Sequence, residues 1–177
     1  MAIKIAVVNE SKNNETRVAV VPEIAQKLSS NNVTFSIEKN SGAASGFLDA
    51  DYPENACSFF DVASEALKDA DVLFKVNPPT SEEIGYMKKG ALAVSYMSPF
   101  QSGELIKNMA SSGIDAFSVE LIPRISRAQS MDALSSQASI AGYKAVILAA
   151  NNANKFFPML TTAAGTVRPA QTLIVGA

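Results

Sequence analysis

At 177 residues the chain has room for one substantial domain, or for one domain and part of another. Hydrophobic residues make up 47% and charged residues 18%, a globular balance that argues against disorder, and a formal net charge of -2 supplies no basic field for nucleic acid or an anionic membrane. With no histidine and one cysteine, His-assisted Ser or Cys triads, His-containing zinc sites and intramolecular disulfides are excluded, and Cys57 reads as a small buried hydrophobe.

The opening MAIKIAVVNESK holds an apolar run of strand length that reaches Asn9 and Glu10 without the cleavage pattern of a signal peptide. No stretch nears the ~18 to 20 consecutive apolar residues that span a bilayer, so a soluble, cytoplasmic chain is expected. Five β-rich runs follow one another: IKIAVV (3–8), VTFSIE (33–38), VLFKV (72–76), LAVSYM (92–97) and AFSVEL (116–121). Each is mostly apolar on both faces, as suits a covered parallel sheet.

Helical patterns lie between the runs. Val21, Ile24, Ala25 and Leu28 follow i, i+3, i+4, i+7 around Pro22, a good first helical residue. Asp61 is positioned to cap a helix carrying Val62, Ala66, Leu67 and Ala70; Thr80 with Glu83 forms a capping box for a short helix ending at Gly90. Leu105, Ile106, Met109 and Ala110 form the stripe of another, stopped by Gly113. Strands alternating with helices predict right-handed crossovers and an α/β, doubly wound parallel sheet, a flavodoxin-like (Rossmann-like) three-layer domain over residues 1–130.

From Met131 to about Lys155 one long helix is expected, within a connecting segment over 131–158. Its face of Ser135, Ala138, Ala141, Gly142 and Ala145 suits close backbone approach, either as tight packing within one domain or as a link between domains or subunits. The segment 159–177 ends in TLIVGA, read as a strand entering the first glycine of a dinucleotide loop at Gly176 and Ala177; it is expected to open a truncated second domain.

Loops at the carboxyl ends of parallel strands share one edge, where ligands bind. They carry Asn9, Glu10 and Arg17, then Lys75 and Asn77, then Tyr96 and Ser98, then Glu120, Arg124, Arg127, Gln129 and Asp132. Arg17, Lys75, Arg124 and Arg127 suit an anionic small molecule, unless each is merely solvated or ion-paired. Acid–base chemistry would fall to Lys, Tyr or carboxylates. Direct hydride transfer between two nicotinamides moves no proton at the reacting carbons and needs only rings held roughly 3 to 3.5 Å apart, so a site without histidine is acceptable.

PRISRAQSMDALSSQASIAGYKAV (123–146), with NNETRVAVVPE (13–23), DADVLFKVNPP (69–79) and MLTTAAGTVRPAQTLIVGA (159–177), resembles the amino-terminal part of the alpha subunit of proton-translocating NAD(P) transhydrogenase, in the alanine dehydrogenase/transhydrogenase N-terminal domain family. The resemblance implies an NAD(H)-binding component with two Rossmann-like domains and the nucleotide between them, NADP(H) being bound by a partner component. It implies hydride transfer from NADH to NADP coupled to proton translocation, a homodimer, and attachment to membrane-embedded and NADP-binding components on the cytoplasmic side of the membrane; the chain alone is expected to be inactive, because the helix and acidic residue that should follow the glycine turn at Gly176 are not in it. Carried over residue by residue, Arg124, Ile125, Ser126, Arg127, Gln129, Asp132 and Ser135 would surround the nicotinamide, with Gln129, Asp132 and Arg124 nearest the chemistry, and Gly176 would begin the pyrophosphate loop. A network holding Arg124 near Asp132 is expected to set the loop.

The alternatives are an alanine-dehydrogenase-like oxidoreductase and a non-catalytic dimerisation or binding module. Arg17 and Lys75 fall where alanine dehydrogenase holds its substrate carboxylate, but that enzyme's catalytic histidine maps to the SYMSP segment, where this chain has Tyr96. That departure argues against amino-acid oxidation.

Overall fold

A computed structural model of the chain describes residues 2–176 and divides into two compact units, Met1–Met131 and Asp132–Ala177. In the first, β1 (Ile3–Val7), β2 (Val33–Glu38), β3 (Cys57–Phe60), β4 (Val72–Phe74), β5 (Leu92–Ser95) and β6 (Asp115–Ser118) pair in parallel in the order β3-β2-β1-β4-β5-β6. Between them lie α1 (Pro22–Ser29), α2 (Ala63–Leu67), α3 (Ser81–Tyr86) and α4 (Gly103–Ser112).

Side chains of β1 alternate between two cores, as the pleat requires. Ile5 and Val7 join Ala25 of α1, Phe35, Ile37 and Tyr52, whereas Ala6 and Val8 join Leu67 of α2, Ile84 of α3, Met109 of α4, Leu73 and Met97. The sheet is therefore covered on both faces, which is the expected doubly wound α/β class. Each fully buried Leu, Ile or Phe contributes about 1.5–3 kcal/mol.

The sheet has one strand more than the five expected. Set β3 aside and the others follow the flavodoxin-like order 2-1-3-4-5; with β3 the order is 3-2-1-4-5-6, the Rossmann-like arrangement. β3 is four residues long at an edge, and the chain reaches it from β2 through short 3-10 turns at Ala43–Ser45 and Asp49–Asp51 instead of an α-helix. Tyr52 of that connection meets the Phe59 ring edge-on at 5.9 Å and donates its hydroxyl to the Val20 carbonyl at 2.9 Å.

Local chemistry explains most boundaries. Pro22 starts α1 and Gly113, in the left-handed region, ends α4 with its N–H on the Met109 and Ala110 carbonyls. Thr80 and Glu83 form the expected capping box, but α3 stops at Tyr86, before the turn in which Gly90 takes a positive φ. Asp61 does not cap α2; Val62 occupies that position and Asp61 pairs instead with Lys39 at 2.8 Å. β6 ends at Ser118, and Val119–Leu121 winds into a 3-10 turn.

Gly42 has an ordinary φ of −89°, but a Cβ there would lie 2.9 Å from both the Phe47 carbonyl oxygen and the Tyr52 hydroxyl. Gly42→Ala is expected to destabilise the first unit by about 1–3 kcal/mol through overpacking and displacement of the Tyr52 hydrogen bond. Urea midpoints measure it, and an unchanged midpoint would show that this connection yields freely.

The second unit holds α5 (Ala133–Asn152) and an antiparallel hairpin of β7 (Leu160–Thr162) and β8 (Gly165–Val167). No residue of α5 is buried, and Ile140, Tyr143 and Val146 are exposed along it. Over residues 168–176, where TLIVG is expected to form a strand, no regular structure is present, because no strand runs beside the segment among the described residues to take its N–H and C=O groups. Gly176 has a φ of +78°, a conformation suited to a tight glycine turn; Ala177 lies outside the described residues.

Candidate functional site

The strand order reverses between β1 and β4, so the switch point of the first unit lies at their carboxyl ends. There Glu10 is buried, and its carboxylate accepts the Val76 N–H at 2.8 Å, the Asn77 N–H at 2.9 Å and the Asn77 amide at 3.2 Å. Those bonds tie the loop after β1 to the loop after β4 and leave Glu10 a structural acceptor. Glu38, also buried at the end of β2, accepts the Asn9 N–H at 2.8 Å and the Lys12 ammonium at 3.3 Å.

Two of the four expected cations have partners that the sequence pattern did not reveal. Lys75, with 3% of its side chain exposed, donates to both carboxylate oxygens of Glu83 at 2.8 Å. Arg17 grips Glu15 through Nε at 2.9 Å and Nη2 at 2.8 Å, and Asn77 links Glu15 to Glu10. Both cations at the switch point are therefore already paired. A polar cleft of about 390 Å³ beside it, with Asn9, Lys12, Glu38 and Glu83 in its wall, inherits the same paired groups.

The hydrogen bond from Arg17 holds the Glu15 carboxyl down at about 2 against an ordinary 4.5; burial opposes this, while the Arg17 N–H, its charge and Asn77 reinforce it. A carboxylate whose folded-state pKa is depressed stabilises the fold above its unfolded value, and loses that contribution as pH falls from about 4.5 to about 2. Arg17 is nearly half exposed, which screens the pair, so Glu15→Gln should cost on the order of 1–2 kcal/mol at pH 7, with the difference closing toward pH 2. Urea unfolding at both pH values decides it; a difference independent of pH would reject the pairing as its source.

At the other end of the edge, Glu120 accepts the Met97 N–H at 2.9 Å, the Ser118 hydroxyl at 2.5 Å and the Ser98 N–H. Burial pushes its carboxyl up, but the hydrogen bonds from Ser118, Ser98 and Met97 outweigh it and hold the group below the usual range. Ser98 has a φ of +45°, a left-handed conformation costing about 1–3 kcal/mol in a residue with a side chain.

Beyond Glu120 come Pro123, Arg124 and Ile125, then a 3-10 segment over Ser126–Met131. Arg124, Ile125, Ser126, Arg127 and Gln129 are all exposed, while Ala128 is buried and pins the middle of the segment. Neither Arg124 nor Arg127 has an ion pair among the described residues of its unit. In the second unit Asp132 caps α5: its carboxylate accepts the Ser135 N–H at 2.9 Å and the Ser135 hydroxyl at 2.6 Å. The structure thus separates the expected residues into an internally paired group at β1 and β4, a free polar stretch at 124–129, and the bonded pair of Asp132 and Ser135.

Among the described residues no helix is long and apolar enough to cross a membrane. The family model described as alanine dehydrogenase/PNT, N-terminal domain, matches residues 6–141. The chain is 40% identical to the first part of the NAD(P) transhydrogenase alpha subunit of Rickettsia prowazekii, over 98% of this chain and 46% of that protein. A transhydrogenase structure from Sinorhizobium meliloti superposes with a TM-score of 0.87 at 42% identity, covering 94% of this chain and 50% of that one. An L-alanine dehydrogenase structure superposes with a TM-score of 0.75 at 28% identity, covering 84% and 40%. The chain spans between a third and a half of the length of the curated transhydrogenase subunits it matches.

Proposed function

The chain belongs to the alanine dehydrogenase/PNT N-terminal domain family, and from that premise we propose that it is the amino-terminal part of the NAD(H)-binding component of a proton-translocating NAD(P) transhydrogenase. The observation that carries this reading is the 124–129 stretch: while the cations at β1 and β4 are paired internally, this one presents polar side chains with no ion pair among the described residues, from a pinned backbone.

A nicotinamide carboxamide offers one carbonyl acceptor and two N–H donors. Arg124 and Arg127 supply guanidinium donors, Ser126 a hydroxyl, and Gln129 an amide that both donates and accepts. These residues fit the group, with Ile125 as an apolar neighbour for the ring; the family resemblance adds Asp132 and Ser135, bonded to one another at the start of α5. The dihydronicotinamide supplies the hydride when bound. The protein's part would be to orient it: Arg124, Arg127 and Ser126 would hold the carboxamide, and Gln129 would reach toward the NADP(H) of a partner component. Gly176 would begin the pyrophosphate loop. The same reading implies a homodimer on the cytoplasmic side of the membrane, attached through membrane-embedded and NADP-binding partners; the exposed apolar residues of α5 are surface that such partners would cover.

Direct oxidation of alanine is disfavoured by Tyr96 in the SYMSP segment and by the Glu15 and Glu83 carboxylates, which already occupy Arg17 and Lys75. The test is made on the intact protein containing this chain, together with its NADP-binding partner. Hydride transfer from NADH to an NADP analogue, with no NAD reduction by alanine, is the expected result. Alanine-dependent NAD reduction without nicotinamide-to-nicotinamide transfer would overturn the proposal.

A further inference from the structure

We propose that Glu120 is a positioning residue for hydride transfer, setting the nicotinamide-facing stretch 124–129 by anchoring its carboxylate in a backbone nest formed by Met97 and Ser98. The inference rests on the reading of 124–129 given above, but its structural half stands on separate observations.

Successive N–H groups that converge through a left-handed residue make a concavity suited to an anion. Here Met97 and Ser98 form it, Ser98 supplies the positive φ, and the occupant is a carboxylate of the same chain. Ser118 adds its hydroxyl from the end of β6. One side chain thus joins the loop after β5 to the segment leaving β6. From Glu120 the chain has little freedom before Arg124: the Ile122 N–H donates to the Val119 carbonyl at 3.3 Å and Pro123 has a fixed φ. On the far side the Ala128 N–H donates to the Ile125 carbonyl at 2.9 Å, and Ala128 is buried. Between those anchors every side chain from Pro123 to Arg127 is exposed and the Ile125 N–H bonds only locally, to the Pro123 carbonyl at 2.9 Å, so little else replaces the Glu120 clamp if it is lost.

Glutamine is nearly isosteric with glutamate but neutral, and it keeps only one of the two accepting oxygens that Met97, Ser98 and Ser118 share, so Glu120→Gln removes the charge that the nest stabilises and one acceptor. In the intact complex, Glu120→Gln is expected to speed amide hydrogen exchange over 122–131 relative to the rest of the first unit. It should also slow hydride transfer about tenfold or more, with the NADH dissociation constant changed less than about threefold. Glu120→Asp keeps the carboxylate and should recover most of the rate. Ser118→Ala removes one donor, leaves the fold intact and should give an intermediate loss, which keeps the test sound if Glu120→Gln folds poorly. Unchanged exchange over 122–131 in Glu120→Gln and Ser118→Ala overturns the clamp. Faster exchange with a wild-type transfer rate overturns the positioning role. If the wild-type complex transfers no hydride while the exchange effect persists, the functional reading fails, and the role in transfer fails with it.

Discussion

Glu83→Ala is expected to lower the stability of the first unit by about 3–5 kcal/mol, because it strands a buried ammonium. Lys75 follows β4, where the parallel ladder carries it into the interior beneath α3, and both oxygens of Glu83 lie 2.8 Å from its Nζ. Glu83 also closes the capping box of α3, its carboxylate accepting the Thr80 N–H at 2.7 Å. Alanine removes all three bonds and leaves the buried Nζ without a carboxylate partner. Against a typical domain stability of about 5–15 kcal/mol, a loss of this size brings the unit near its unfolding threshold. Guanidinium titration followed by circular dichroism measures it. The double variant Lys75→Met with Glu83→Leu should recover much of the loss, since replacing a whole buried pair by apolar side chains is often neutral or stabilising. A loss below about 1 kcal/mol in Glu83→Ala would mean that Lys75 finds solvent by a small movement, and that its burial is incidental.

Only half of Glu83's role is legible in the sequence. Thr80 and Glu83 announce a capping box, and the box forms; the ion pair to Lys75 is an eight-residue contact whose geometry depends on how α3 returns over β4, which no local pattern encodes. Glu15 and Arg17 are near neighbours of opposite charge, but a two-residue separation makes contact only in a particular loop conformation, here the one that also brings Asn77 to Glu15. The strands with long apolar runs were legible because covered parallel strands are apolar on both faces. β3 was not: CSFF is only four residues, at an edge, and lacks the helix that would mark it as the end of a βαβ unit. The nest at Met97 and Ser98 was hidden for another reason. A positive φ at a serine has no sequence signal of its own, and arises here with a carboxylate from 22 residues further along the chain to hold it.

These pairings change the electrostatic reading of the edge. Four cations on a slightly acidic chain suggest a broad anion-attracting surface, yet Arg17 and Lys75 each hold a carboxylate at 2.8 Å and contribute little field beyond their partners. What remains is the positive charge of Arg124 and Arg127, concentrated on one exposed stretch. A carboxylate substrate entering at β1 and β4 would have to displace Glu15 or Glu83, so the paired cations there are poorly placed to receive an amino acid.

Gln129→Ala is expected to slow hydride transfer in the intact complex by about tenfold to a hundredfold while changing NADH affinity less than about threefold. Gln129 follows buried Ala128 in the 3-10 segment, so its backbone is held while its side chain is exposed, and its removal should alter stability by no more than about 0.5 kcal/mol. A neutral amide is suited to a place between two nicotinamides because it can donate to one carboxamide and accept from another without favouring the charged or the neutral ring. The guanidinium groups of Arg124 and Arg127 would still grip the NADH carboxamide in the variant, which is why binding should survive. Loss of Gln129 instead frees the angle and distance between donor and acceptor rings, and a misplacement of about 1 Å is enough for a hundredfold fall in rate. Stopped-flow transfer rates set beside NADH titrations separate the two quantities. If affinity falls in step with rate, Gln129 is a binding residue and acts on the ground state; if neither changes, the side chain does not reach the nicotinamides and the orientation assigned to the 124–129 stretch is wrong.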